Sequence, residues 1–171
     1  EKEKTMHSST RNYVTVHDFN LKDFTDLENA VDCTSDVFFE HIVPHMGEWG
    51  RVNYIELDDF EFDEHSRELT FTCLTKWFSP LSWLTAASCT EFFENKLLTM
   101  TTITRDETYV AGVAVLDRDI LQEQELVSLE PETVGALYEN DEVDELDEIL
   151  WGPINNFVSE CKQLYIVPPG A

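Results

Sequence analysis

Residues 51–78 read RVNYIELDDFEFDEHSRELTFTCLTKWF. Two runs rich in aromatic and β-branched residues, 51–62 and 67–78, flank the polar tetrapeptide at 63–66, DEHS. A polar tetrapeptide between two such runs predicts a β-hairpin. In the first run Ile55, Leu57, Phe60 and Phe62 share a face only if the alternation takes one irregular step at Asp58 and Asp59. A β-bulge is expected there, because an extra residue on one strand restores the two-residue period beyond it.

Upstream, residues 12–18 (NYVTVHD) alternate, with Tyr13 and Thr15 on one side and Val14 and Val16 on the other, which predicts a strand. Phe24, Leu27 and Val31 then recur at helical spacing within 21–33, with Asp23 or Thr25 available as a cap. Phe38, Phe39 and Ile42 suggest a short helix ended by Pro44. Downstream, Pro80 is expected to open a helix through Phe93, with Leu81, Leu84, Cys89 and Phe92 as buried positions. Residues 97–104 and 109–116 read as a second hairpin. The order βα, ββ, α, ββ predicts an α+β domain in which the two longer helices cover one face of a single sheet, each having one apolar stripe.

The remainder changes character. Residues 123–129 predict a short edge strand, and Pro131 starts a helix to about Tyr138. Asn140 or Asp141 can cap another, in which Val143, Leu146 and Leu150 form one stripe and Asp141, Asp144, Glu145 and Glu148 lie around the other side. Trp151-Gly152-Pro153 is expected to break it, with Ile154, Phe157, Val158 and Cys161 lining the next helix. The expected organisation is 1–11 as a tag remnant or flexible N-terminus with Met6 as a native start, 12–116 as the α+β core, and 117–171 as an acidic, mainly helical region packed on it.

With 42% hydrophobic and 12% aromatic residues among 171, the chain can offset its ordering entropy despite a formal charge of -24, so it is not read as a disordered acidic tail. Cys33, Cys73, Cys89 and Cys161 stand too far apart for a CxxC pair and read as buried thiols in a reducing, cytoplasmic compartment. No apolar run approaches the roughly 20 residues of a membrane-spanning helix.

The charge is concentrated. Between Arg118 and Lys162 no lysine or arginine occurs, while thirteen carboxylates do. A field of this sign repels nucleic acid and anionic membrane, and steers basic protein surfaces toward itself. Like charges at i,i+4 weaken a helix by a few tenths of a kcal/mol per pair, a cost that interspersed lysines would avoid.

KWFSPLSWL at 76–84, following FTCLT, resembles the W-x-x-P-x-x-W-L signature of the Api92-like proteins of phages and plasmids. Asn12 in the early strand, Ile42-Val43-Pro44 and Trp49-Gly50 add to the resemblance. It spans about 12–116, and departs where Tyr13 and Val14 replace an expected cysteine and where Trp49-Gly50 lies far from Lys76-Trp77. It implies a ferredoxin-like βαββαβ core and a mobile-element origin, and no active site.

Candidate chemistry is sparse. His41 and His45 share the spacing of a zinc pair, but the intervening Ile42, Val43 and Pro44 supply no general-base glutamate. His7, His17 and His65 stand alone, no EF-hand rhythm occurs in 141–148, and no nucleophile pairs with a base in a known motif. No catalytic residue, metal or cofactor is implied. Trp77 and Trp83 lack the basic company of a base-stacking platform.

The carboxylates remain. Glu139, Asp141, Glu142, Asp144, Glu145, Asp147 and Glu148 form the first candidate surface. On the 51–62 strand Glu56 and Asp58 form one row, and Asp59, Glu61 and Asp63 another. Their regular spacing suits a DNA mimic: an anti-restriction or anti-CRISPR inhibitor whose partner is a basic, nucleic-acid-binding host-defence protein. Direct nucleic-acid or membrane binding is not expected, and a homodimer stays open. The alternative is a non-mimetic protein-protein interaction module whose acidity serves solubility. An enzyme ranks last, since few cations are present to hold a polyanionic substrate.

Overall fold

β-branched residues at alternate positions build β1 (Thr10–His17), an inner strand of the sheet. The chain continues through α1 (Leu21–Ala30), α2 (Phe38–Ile42), β2 (Ile55–Asp63), β3 (Glu68–Thr75), α3 (Leu81–Ala87), β4 (Leu97–Arg105), β5 (Tyr109–Asp117), β6 (Ile120–Leu129), α4 (Pro131–Glu139) and α5 (Val143–Tyr165). This computed structural model describes residues 10–33, 38–43, 55–75, 80–105, 109–117 and 120–165. The strands form one sheet in the order β2-β3-β1-β4-β5-β6, with every adjacent pair antiparallel.

The two faces of the sheet carry separate cores. On the first, Val14, Val16, Leu69, Phe71, Cys73, Leu98 and Met100 meet Leu27 of α1, Phe38 and Phe39 of α2, and Trp83 and Leu84 of α3. Trp83 is 1% exposed, and its indole Nε1 donates to the Phe39 carbonyl at 3.0 Å, which offsets the desolvation of that polar edge. On the second, Leu97, Ile103, Val113, Val115 and Val127 meet Val134 and Leu137 of α4 and Leu146, Leu150 and Ile154 of α5. The result is helix, sheet, helix. α1 and α3 share one face, as their single stripes predict, and α2 joins them; the C-terminal pair covers the other.

Asn12 fixes β1 between its neighbours. Its Nδ2 donates to the Cys73 carbonyl and to Thr75 Oγ1, each at 3.1 Å, and its Oδ1 accepts from Thr102 Oγ1 at 2.9 Å. A buried amide in an apolar layer must find such partners, and here both ends do.

Several expectations need correction. The sheet is larger than a simple ferredoxin-like one: β5 and β6 extend it beyond β4. The cap of α1 is Asn20, whose Oδ1 accepts from the Asp23 amide at 2.8 Å while Asp23 Oδ2 accepts from the Asn20 amide at 2.9 Å, a reciprocal capping box. The α3 helix stops at Ala87 instead of continuing to Phe93. Ser88 and Thr90 turn their hydroxyls back onto the Thr85 and Ala87 carbonyls, competing with helix continuation. Cys89 consequently lies in a turn and is exposed, not buried.

The expected break at Trp151-Gly152-Pro153 does not occur; α5 runs through Pro153. Proline removes one ladder hydrogen bond, but Leu146, Leu150 and Ile154 are all buried on one stripe against the sheet, and that packing outweighs the local loss. The sixth strand is ten residues long, longer than the short edge strand expected. Pro44, His45, Trp49, Gly50 and residues 76–79 lie outside the described residues, as do the side chains of Ile55, Val143 and Cys161.

Candidate functional site

The bulge in β2 decides where its carboxylates point. Asp58 pairs with Thr72 and Glu61 with Thr70, the register shifting between them, and Asp59 takes up the extra residue at φ 51°. Phe60 and Phe62 thereby return to the first core with Leu57. Side chains alternate across a strand, so Glu56, Asp58, Glu61 and Asp63 all project from the opposite face. The two rows expected from uniform alternation are one row. Asp59 stands apart at the bulge, its amide donating to Asp58 Oδ1 at 2.9 Å.

That opposite face is the one α5 covers, but only in part. α5 packs on β4, β5 and β6, and among the described residues no helix is seen over the β2–β3 half of the face. All of Glu139, Asp141, Glu142, Asp144, Glu145, Asp147 and Glu148 are exposed. Glu139 ends α4, and Asp141 and Glu142 sit in the turn to α5, where Asp141 has φ 59° and the Glu142 amide donates to the Leu137 carbonyl at 2.7 Å. Asp144 and Glu145 occupy the first turn of α5, where the helix dipole stabilises negative charge and offsets their mutual repulsion. At 100° per residue Asp144, Asp147 and Glu148 share the flank of Trp151 that borders the β2–β3 half of the sheet, whereas Glu145 turns away from it. Asp147, Glu148, Trp151, Gly152 and Asn155 line a shallow depression of about 500 Å³ on this flank.

Arg11 of β1 projects onto this face, on the side of Tyr13; the paired cations lie elsewhere. Lys22 pairs with Asp26 at 2.8 Å, Lys96 with Asp23 at 2.8 Å, and Arg67 with Asp18, all around α1 and the β2–β3 turn. Partial burial pushes the Asp23 carboxyl upward, but the Lys96 ammonium and the Asn20 amide outweigh it and hold the group below its ordinary range.

Between α5 and the sheet lies a cleft of about 320 Å³. Its floor is hydroxyl-rich: Thr15 from β1, and Thr99 and Thr101 from β4. His17, 2% exposed, lies at one end with Nε2 2.9 Å from Thr99 Oγ1. Its Nδ1 stands 3.3 Å from Glu68 Oε2 yet makes no aligned hydrogen bond. Trp151, Asn155 and Ser159 form the helical wall. Tyr13 meets Trp151 edge to face at the other end.

The cleft residues escaped the reading of the sequence, in which His17 stands isolated. The available signal was threonine at every second position, 70 and 72, 99 and 101, on strands whose other face is apolar. His41 is exposed on α2, and among the described residues no group of three or more His, Cys, Asp or Glu side chains could hold a metal ion. No helix of the described residues is long and apolar enough to cross a membrane.

No family model matches the chain, and neither a curated protein nor a solved structure matches it.

Proposed function

We propose that this chain is a binding protein without catalytic activity: an acidic inhibitor of phage or plasmid origin, built on a ferredoxin-like unit enlarged by two strands and two helices. It occupies the DNA-binding surface of a basic host-defence protein, of the restriction or CRISPR kind, in the host cytoplasm. The observation that carries this reading is that the β2 carboxylates and the α5 carboxylates flank the same half of one sheet face, the half over which no helix of the described residues lies. Along β2, alternate side chains repeat at about 6.6 Å; on α5, Asp144 and Glu148 are i,i+4 neighbours at about 6 Å. In projection on the sheet β2 lies three strand spacings, about 14 Å, from β4, comparable with the roughly 12 Å width of a DNA major groove. Two anionic rows at that separation suit the lysines and arginines that otherwise neutralise phosphates.

The non-mimetic alternative requires an apolar contact surface. Among the described residues the exposed large apolar side chains are Leu21 and Leu121, one on α1 and one on β6, which do not make a patch. Charge is the better candidate.

The test is calorimetry against a captured DNA-binding defence protein, at low and high salt and with duplex DNA as competitor. Reversing Asp144, Glu145 and Glu148 to lysine should abolish association, and salt and duplex DNA should each weaken the wild-type complex. A triple variant that binds like wild type, or a complex indifferent to salt and DNA, would refute the reading.

A further inference from the structure

Resting on that reading, we infer that the outer edge of β6 takes one extended, basic segment of the partner as a further strand of the sheet. At ten residues β6 is the longest strand. It ends the sheet beyond β5, and no strand of the described residues pairs with its other side. Outer strands are ordinarily blunted by brevity, proline, lysine or a bulge. β2, at the opposite end, is interrupted at Asp59 by such a bulge. β6 contains neither proline nor lysine, and its register with β5 is unbroken from Ile120 to Glu125, shifting only between Glu125 and Val127. What guards it is charge, since Glu123 and Glu125 are both exposed. That guard turns away another acidic copy and attracts a cationic strand.

The register fixes which groups face outward. Asp117 and Ile120 stand directly opposite each other, and a pair so close in the chain exchanges both of its hydrogen bonds, because the other antiparallel pattern would need a bond between adjacent residues. Alternation then turns the amides and carbonyls of Ile120 and Gln122 toward β5, and those of Leu121, Glu123 and Glu125 outward. The side chains of these three share a face. Leu121 stands opposite Leu116 and Glu123 opposite Ala114, and both partners belong to the first core. Leu121 is 40% exposed. Antiparallel addition, the stronger pairing, continues the pattern of the sheet and sets one residue of the incoming segment against each of the three. In the chain order of that segment these are a cation against Glu125, a cation against Glu123 and an apolar residue against Leu121. Lys-x-Lys-x-Leu is the simplest such motif.

The probe is the acetylated and amidated heptapeptide TKTKTLT, titrated into the full chain to about 2 mM in about 0.15 M salt, with amide hydrogen exchange followed by NMR. The control is the same peptide N-methylated at its second lysine, which keeps the charge and loses a hydrogen bond to the edge. Saturable binding by the probe should slow exchange of the Leu121, Glu123 and Glu125 amides by about threefold or more, while Gln122, already bonded to β5, changes little; the N-methylated peptide should do neither. Replacing Glu123 and Glu125 together by Gln should weaken binding about tenfold. Glu123→Pro removes an outward amide that β5 does not use, a change that outer strands tolerate, and should abolish binding in a chain whose spectrum reports its folding. Equal binding by the N-methylated peptide, no saturable binding, protection of Gln122 in place of its neighbours, or full binding by the glutamine pair would each overturn the assignment. Protection of these amides that grows with protein concentration in the absence of peptide would overturn it too, by giving the edge to a second copy. A defence protein that meets the salt and charge-reversal tests while β6 stays unprotected in its complex would overturn the edge and leave the charge reading standing. A defence protein that ignores the triple reversal on α5 would overturn the charge reading, whatever the peptide does.

Discussion

Tyr13 of β1 and Trp151 of α5 meet edge to face, with ring centroids 5.0 Å apart and planes inclined by 75°. This contact ties the C-terminal helix to the central strand, beyond the β4–β6 surface on which most of α5 rests. Trp151 is half-buried, so Trp151→Ala should cost about 2 kcal/mol, below the 3–5 of a fully buried tryptophan. Trp151→Phe should recover roughly half of that loss. Urea unfolding monitored by circular dichroism measures both; an alanine variant as stable as wild type would show that the ring pair does not hold the helix.

Leu146 and its charged neighbours should separate folding from surface. Leu146 is 2% exposed, and Leu146→Asp buries a carboxylate among apolar side chains, a cost of at least about 3 kcal/mol. Reversing the exposed Asp144, Glu145 and Glu148 should shift stability by less than about 1 kcal/mol, even though lysines in the first turn oppose the helix dipole. The midpoints of thermal unfolding of the two variants would decide it, comparable losses contradicting the assigned faces.

At the β2 bulge, Asp59 holds φ 51°, a region in which a side chain is strained. Asp59→Gly should stabilise the protein by up to about 1 kcal/mol, and Asp59→Val should destabilise it by about 1–2 kcal/mol. A valine variant at least as stable as wild type would mean that residue 59 does not occupy the left-handed region.

The Asp23–Lys96 pair predicts a definite acid response. The folded-state pKa of Asp23 is depressed, so the stability it contributes is present above the unfolded value, about 3.9, and is lost as pH falls through the folded value. Both side chains are partly exposed, so the contribution should stay below about 1 kcal/mol. Unfolding of wild type and Lys96→Met between about pH 2 and 6 should converge at the acid end; a constant difference would place the effect of Lys96 in packing.

Thiol reactivity should follow burial. Cys73 is fully enclosed and its pKa is raised by burial, and Cys33 is pushed up to about 11 by burial and then by Glu28 and Asp32. Cys89 is exposed. Brief iodoacetamide treatment near pH 8 with peptide mapping should mark Cys89 well before Cys33 or Cys73; early labelling of Cys73 would contradict the first core.

Much of this was legible from periodicity. Val14 and Val16, or Leu146 and Leu150, announce their faces by spacing alone, and the bulge at Asp58 and Asp59 follows from keeping four apolar side chains inside. The merging of the β2 carboxylates into one row follows from the same bulge, once it is applied to the polar face as well. Continuity through Pro153 was not legible, because burial of Ile154 against a distant sheet outweighs a local preference. His17 and Glu68 were hidden for a different reason: they are distant in sequence, and only the β1–β3 register, which sets them opposite each other, brings them together.

Both outer strands of the sheet carry exposed carboxylates, Glu56, Asp58 and Glu61 on β2, and Glu123 and Glu125 on β6. An outer strand is a template for another copy's backbone, and like charge along it keeps copies from stacking edge to edge. The safeguard is electrostatic, so its reach shrinks as salt screens it, while the backbone of an outer strand keeps its capacity to pair; concentrated salt should therefore turn a self-avoiding chain into one whose sheets continue into one another.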